Sequence, residues 1–165
     1  MKQKILITFM IIGLILILGG CNKTAKDDKG MIKIAREELP ISDSERITVQ
    51  MIGSINKNGS RLACFMTGNE NQGHGYYPVE FKIITLKKYE FIKVYKMYQR
   101  DMDIYTYCWM DGYVFIVNNK ECKSIELEAS SEDRKIIKVD KIPFVFYYNS
   151  MPGEYNFLDE KGNVL

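Results

Sequence analysis

The chain has 165 residues, with 23 lysines and arginines, 21 aspartates and glutamates, and a single histidine. A net charge of +2 on this length provides none of the one-sided basic field that a nucleic-acid binder requires, so nucleic acid is excluded as a partner. The four cysteines include no pair spaced as Cys-x-x-Cys, which excludes a zinc knuckle and a thioredoxin-like motif.

The N-terminal segment begins with two basic residues, Lys2 and Lys4, followed by an uncharged apolar run at 5–18. A positive start and a short apolar run are typical of a secretory signal peptide. A membrane-spanning helix needs roughly 20 apolar residues, and this run is shorter. The pattern therefore predicts a segment that directs export and is then removed.

The apolar run ends in Leu18-Gly19-Gly20-Cys21, which resembles the lipobox of bacterial lipoproteins. The resemblance implies that a diacylglyceryl group is attached to the sulfur of Cys21 and that the chain is cut between Gly20 and Cys21. It also implies a lipid-held location on the extracytoplasmic face of the cell membrane. The abundant lysine, isoleucine and asparagine resemble the composition of low-GC Gram-positive bacteria. The alternative is an ordinary thiol at Cys21 after an uncleaved anchor helix.

The domain organisation follows from this cleavage. Removing residues 1–20 leaves about 145 residues, which fits one domain with a substantial core. Two lysines leave with that segment, so the 23 basic side chains fall to 21, equal to the acidic ones. The sequence predicts a signal peptide at 1–20, the lipidated cysteine and a flexible tether at 21–30, and a single β-rich domain at 31–165. The tether would span on the order of 17 Å.

The first predicted element is a short amphipathic helix at 31–39, whose apolar residues recur at i, i+3, i+4 and i+8. Pro40 would end this helix, because the residue before a proline avoids the α region. From Arg46 the pattern becomes β-rich, with Asn58-Gly59 as a favoured two-residue hairpin turn. The glycine-rich stretch at 68–78 predicts a loop.

Two further strands are predicted at 79–85 and 89–98, and the clearest unit is a hairpin that turns at Asp111-Gly112. With that turn, Trp109 would oppose Val114. One face of the hairpin would carry Tyr105, Tyr107, Trp109, Val114 and Ile116, and the other Cys108, Phe115 and Val117. Both faces are apolar, so the hairpin should lie in the middle of a sheet and be covered on both sides.

The remaining strand segments are predicted at 122–128, 135–139, 142–148 and 155–158. In the first of them, Ile125 and Leu127 alternate with glutamates, which indicates an edge or a solvated face. Strands that recur every 8–14 residues or so, with turn signals between them, predict an antiparallel domain. The predicted fold class is mostly β (α+β), an antiparallel sheet or sandwich of consecutive hairpins with one short N-terminal helix.

Catalytic candidates are few. His74 lies between glycines, and a Cys–His pair with Cys64 or Cys108 has no local support in the sequence, so His74 is interpreted as an exposed loop residue. Asp101 and Asp103 would lie about 6.5–7 Å apart along a strand, and paired carboxylates near that separation hydrolyse glycosides. Their position at a strand entrance favours a solvated turn instead. No metal or cofactor site is predicted.

The other reactive or aromatic residues leave alternatives open. With Cys21 taken by lipid, an odd number of cysteines remains (Cys64, Cys108 and Cys122), so a disulfide is permitted but not demanded. The pairs Tyr76-Tyr77 and Tyr147-Tyr148 leave a surface role open, because neighbours on a regular strand point to opposite faces.

Together these observations predict a membrane-anchored, non-catalytic binding module that contacts membrane lipid through acylated Cys21 and presents a β surface to an envelope protein or glycan. One alternative is an envelope hydrolase that uses Asp101 and Asp103 or a Cys–His pair. The other is a surface immunity lipoprotein that neutralises a toxin.

Overall fold

The structure is a computed structural model that describes residues 23–41, 47–69, 72–96, 103–130 and 133–165, with the backbone alone described at 69, 72–74, 129, 130 and 133. These residues form one helix and eleven strands. They are α1 (Asp28–Glu38), β1 (Thr24–Ala25), β2 (Thr48–Lys57), β3 (Ser60–Asn69), β4 (Gln72–Thr85), β5 (Lys88–Val94), β6 (Ile104–Trp109), β7 (Gly112–Val117), β8 (Ser124–Ser130), β9 (Asp133–Lys138), β10 (Phe144–Tyr148) and β11 (Glu154–Leu158).

The strands form three antiparallel sheets. Sheet A has the order β1-β5-β4-β3-β2, sheet B has the order β10-β7-β6, and sheet C has the order β11-β8-β9. Most neighbouring strands are consecutive in sequence and are joined as hairpins. The predicted fold class, an antiparallel and mostly β chain with one short helix, is confirmed.

The layers follow the order α1, sheet A, sheet B, sheet C, and a separate apolar core lies between each successive pair. The first core includes Met31 and Phe65, and the second includes Leu62 and Ile116. The third includes Leu127. Stacked sheets lie about 10 Å apart, so sheet C is roughly 20 Å from sheet A. Sheets A and B are therefore covered on both faces.

Helix α1 begins three residues earlier than the sequence pattern predicted. Asp27 is the N-cap, and its Oδ1 accepts a hydrogen bond from the Gly30 N–H at 2.8 Å. Such a cap satisfies one of the donors left open at a helix start. Met31 and Ala35 are buried against sheet A, and the helix ends before Pro40 as expected.

The segment before the helix is also ordered by the fold. Thr24 and Ala25 pair with Glu90 and Tyr89 of β5, and the Lys23 carbonyl accepts a hydrogen bond from the N–H of the next β5 residue at 2.8 Å. Ala25 is only 2% exposed. The prediction of a flexible tether is therefore wrong over 24–30, because two backbone-paired residues and a capped helix occupy that range.

Hairpin β6–β7 lies in the middle layer, and its two faces are those predicted from the sequence. The predicted mid-sheet position is wrong for β6, which is the edge strand of sheet B, whereas β7 is the central strand. Val114 and Ile116 pack towards sheet A, whereas Phe115 and Val117 pack towards sheet C, all at 0% exposure. The predicted register is wrong by two residues, because Trp109 pairs with Gly112 rather than with Val114. A shift of two restores each residue to its original face, so the face assignment survives.

The actual turn residues are Met110 and Asp111, and Met110 has a φ of 52°. Gly112 was predicted as a turn residue, but the structure requires a glycine here because another strand approaches closely. A Cβ at this position would overlap the carbonyl oxygen of Tyr148 and would lie 2.7 Å from the Tyr147 hydroxyl. The glycine therefore allows β10 to approach β7.

The predicted loop at 68–78 is wrong. β3 continues to Asn69 and β4 begins at Gln72, so the described glycines here lie within strands. Gly75 pairs with Thr67, and a Cβ there would lie 2.8 Å from the Thr67 hydroxyl and 2.9 Å from the ring of Tyr77. The glycine spacing reflects close packing inside sheet A.

Sheet C has a polar outer face, in agreement with the alternation predicted for β8. Ile125 and Leu127 are buried towards sheet B, and β8 is the central strand of its sheet. Glu126 on the outer face is only 4% exposed, because it pairs with Arg134 and accepts a hydrogen bond from Asn156 at 3.2 Å. The ion pair and the hydrogen bond offset part of the cost of burying this carboxylate.

Replacing Gly112 with alanine should destabilise the fold by about 3 kcal/mol or more, because the added methyl group meets backbone rather than a movable side chain. Urea unfolding measures this change. Gly153→Ala is the matched control, since its Cβ would lie 3.4 Å from the Glu128 carbonyl in ordinary contact. The control should change stability by no more than about 0.5 kcal/mol. Equal losses in both variants would contradict the packing explanation.

Candidate functional site

The predicted lipidation and cleavage residues, Cys21 and Gly20, lie outside the described residues. The chain is first described at Lys23, whose ammonium group is 2.8 Å from Glu37 and 2.5 Å from Glu38. Lys23 is therefore held to the last turn of α1 as well as to β5. Over the part of the chain that is described, no helix is long and apolar enough to cross a membrane.

Of the catalytic candidates considered in the sequence, the side chains of Asp103, Cys64 and Cys108 are described. The backbone of His74 lies in β4 rather than in a loop, and its side chain lies outside the description, as does Asp101. Asp103 is exposed, and its carbonyl accepts a hydrogen bond from the Asn118 N–H at 2.6 Å. It lines a polar surface depression of about 460 Å³ with residues 118–121.

The three described cysteines are free thiols with different surroundings. Cys64 lies between sheets A and B at 0% exposure, and burial raises its pKa to about 12. A thiol with that pKa remains protonated at neutral pH, and the thiolate is the nucleophile. Cys108 is exposed, and Cys122 is buried in the core between sheets B and C. Because the Cys64 thiol is buried and its pKa is raised, Cys64 is unsuited to act as the nucleophile of a Cys–His pair.

The tyrosine pairs are packed inside the fold. Tyr76 is 1% exposed towards sheet B, and Tyr77 is 6% exposed towards α1. Tyr147 and Tyr148 are half-buried and point into the cores on opposite sides of sheet B. Both members of each pair find an apolar partner because sheets A and B are covered on both faces.

A charged cluster joins sheets A and B at one end of the fold, and we call its four residues the Lys57 cluster. Lys57 ends β2 and donates hydrogen bonds to Asp111, Asn149 and the Tyr147 hydroxyl, the last at 2.9 Å. Tyr147 in turn donates to Asp111 at 2.9 Å. The Lys57 ammonium lies 4.8 Å from the centre of the Tyr147 ring, within range of a cation–π interaction.

The electrostatics of this cluster fix its protonation. The hydrogen bond to Asp111, and then that to Tyr147, raises the pKa of Lys57 above its ordinary value. The hydrogen bond from Lys57 lowers the pKa of the Asp111 carboxyl. Burial raises the pKa of Tyr147, against the opposing effect of Lys57. A lysine with a raised pKa is a poor nucleophile, so the cluster is a cross-link between sheets rather than a reactive centre.

A second polar cluster lies at the start of α1. The Arg61 guanidinium is 2.8 Å from the Asp28 carboxylate and donates to the Tyr89 hydroxyl at 3.3 Å. The same group lies 5.2 Å from the centre of the Tyr89 ring. With Lys26 and Lys29 these residues line a depression of about 410 Å³. Sheet A, its edge strand and the helix start are thus tied together at one point.

Sequence reasoning missed both clusters. Lys57 is 54 residues from Asp111 and 90 from Tyr147, and no local pattern brings such distant residues together. In the described portion of the chain, no group of three or more histidine, cysteine, aspartate or glutamate side chains could hold a metal ion. No family model, curated protein or solved structure matches this chain.

The coupling free energy between Lys57 and Asp111, measured by a double-mutant cycle of Lys57→Met and Asp111→Asn, should depend on pH. Because the folded-state pKa of Asp111 is lowered, the coupling should be present above the unfolded value near 3.8 and lost as pH falls through the lower folded value. Because the pKa of Lys57 is raised, the coupling should persist until pH rises past 10.5 and through the folded value. Chemical denaturation across this range measures it.

The exposed pair Lys138 and Asp140, 3.4 Å apart, provides the control. The same substitutions there should give a coupling close to zero, as for ordinary surface ion pairs. A Lys57–Asp111 coupling no larger than that of the control pair would contradict the cross-link.

Proposed function

We propose that this chain is a bacterial lipoprotein, held on the extracytoplasmic face of the cell membrane by a diacylglyceryl group on Cys21. The observation that carries the proposal is Leu18-Gly19-Gly20-Cys21 directly after a short apolar run with a basic start. Two acyl chains hold a protein stably on a bilayer, since each buried CH₂ contributes about 0.8 kcal/mol.

The anchored domain acts as a non-catalytic binding module, and its partner is an envelope protein or glycan. Support comes from how the described reactive groups are used. The Lys57 cluster and Arg61 are engaged in contacts between layers, and Cys64 is buried with a raised pKa. The Tyr95 hydroxyl donates to the Glu80 carboxylate at 2.7 Å, so these groups also satisfy each other. Each of these groups is thus engaged in a contact within the fold or is buried.

The anchor is tested by labelling cells with radioactive palmitate. The wild-type chain should be labelled and the Cys21→Ser variant should not be, because that variant lacks the acceptor sulfur. Cys108→Ser is the matched control, since it removes an exposed thiol on β6, and its labelling should match the wild type. Equal labelling of the Cys21→Ser variant and the wild type would refute the assignment.

Counting thiols in the same purified protein gives a second readout of this prediction. An aromatic disulfide reagent should react rapidly with Cys108 in the folded chain and with Cys64 and Cys122 only after denaturation. A denatured chain with lipidated Cys21 therefore has three reactive thiols. A fourth would show that Cys21 is an ordinary cysteine.

The binding role is separated from hydrolysis by complementation of a deletion strain. A chain with His74→Ala and Asp103→Ala together should restore the wild-type phenotype fully, because a binding module needs neither side chain for acid/base chemistry. The Cys21→Ser variant is the control that should fail to restore it. Loss of complementation by the double alanine variant at normal protein level would favour the hydrolase.

A further inference from the structure

We propose that the tip of the β4–β5 hairpin is a membrane-docking surface, and that it seats on a bilayer containing anionic phospholipid beside the lipid anchor. The surface, which we call the hairpin patch, consists of Ile84, Leu86, Lys87 and Lys88 at the tip and of Ile92, which follows Phe91 farther along β5. The inference rests on the proposed lipidation of Cys21 and adds an orientation to it.

The first step is the distance between the anchor and the folded domain. Cys21 precedes Lys23 by two residues, which span at most about 7 Å of chain. The Lys23 carbonyl is hydrogen-bonded to the Phe91 N–H in β5. Lipid on Cys21 therefore places Lys23, at the edge of sheet A, within about 7 Å of the acylated residue. Leu86 is five residues from Phe91, at most about 17 Å along the strand.

The second step is the apolar surface of this hairpin. Leu86 is 93% exposed, and Ile84 and Ile92 are 41% and 46% exposed. Three exposed aliphatic side chains on one hairpin differ from a single exposed residue, which needs no explanation. Ile136 on β9, at 62% exposure, is an example of a single exposed aliphatic residue, in sheet C.

The third step is the charge around the tip. Lys82, Lys87 and Lys88 are exposed on the hairpin, and Ala25 pairs with Tyr89, so Lys26 follows beside the tip. Each lysine close to an anionic membrane surface adds to the attraction, which falls off within a Debye length. Lysines around apolar side chains match the interfacial arrangement in which the chains enter lipid and the ammonium groups meet phosphate.

The fourth step is that the tip is held in a fixed position. The Lys87 N–H donates to the Thr85 hydroxyl at 3.3 Å, and the Tyr89 hydroxyl donates to the Leu86 carbonyl at 3.4 Å. Tyr89 is also the ring against which Arg61 lies. The tip is thus connected to the helix start, and it docks without the cost of ordering a loose loop.

We favour the bilayer over a soluble protein as the partner of the hairpin patch, because the lipid anchor keeps the membrane surface at high local concentration next to the patch. A tethered second contact gains from effective concentration without any new affinity of its own. A protein partner that bound the same patch would have to compete with the surface to which the chain is already attached.

The test places a tryptophan at the tip of the full-length lipidated protein in vesicles of phosphatidylglycerol and phosphatidylcholine with brominated acyl chains. Native Trp109 is 2% exposed and gives a weakly quenched background. Leu86→Trp should lose roughly half of its added fluorescence, as expected for a side chain that enters the acyl boundary. Ile136→Trp, two sheets away, is the matched control and should lose little.

The outcomes separate this inference from the lipidation on which it rests. An intact mass that includes the diacylglyceryl group establishes the anchor in the same sample, and its absence would refute the proposed function. With the anchor present, equal quenching in the two variants would overturn the docking surface. Stronger quenching of Leu86→Trp in anionic than in neutral vesicles would support a contribution of the lysines to docking. Equal quenching in the two kinds of vesicle would overturn the preference for anionic phospholipid.

Discussion

The structure depends on keeping water from both faces of sheet B. Val114, Phe115 and Ile116 are consecutive in β7, and all three are completely buried, so neither face of the strand can be left open. Burying one such side chain contributes about 1.5–3 kcal/mol, which makes both covers necessary. Sheet A supplies one cover and sheet C the other, and α1 then closes the outer face of sheet A.

The fold class was readable from the sequence because strand alternation is a local property. The two faces of the β6–β7 hairpin could be assigned even though the turn was placed wrongly at Asp111-Gly112, since an even shift of register preserves the faces. Asn58-Gly59 was a reliable signal because both residues adopt positive φ, which suits this pair. The fold class and the hairpin faces were therefore predicted mainly from the residue types at the turns and from the alternation of side chains along the strands.

The errors came where packing overrides local residue preference. Gly75 resembles a loop residue in sequence, yet it lies in a strand because Thr67 and Tyr77 leave no room for a Cβ. Asp27 is the N-cap of α1, although the polar residues around it are typical of a flexible tether. The contacts of Lys57 arise only from the stacking of sheets, and the position of the hairpin patch beside Lys23 arises only from the pairing of β1 with β5. Cys21 could be proposed as the lipidation site because the residues of its motif are contiguous in the sequence.

The pairing of β1 with β5 has a consequence for self-association. An open strand edge displays free backbone donors and acceptors and invites a strand from another molecule, which is a common start of aggregation. Thr24 and Ala25 pair with part of that edge on β5, so the short strand β1 blocks the pairing of β5 with a strand from another molecule. Proteolytic trimming as far as Ala25 would uncover this template and favour edge-to-edge joining of two copies into a continuous sheet.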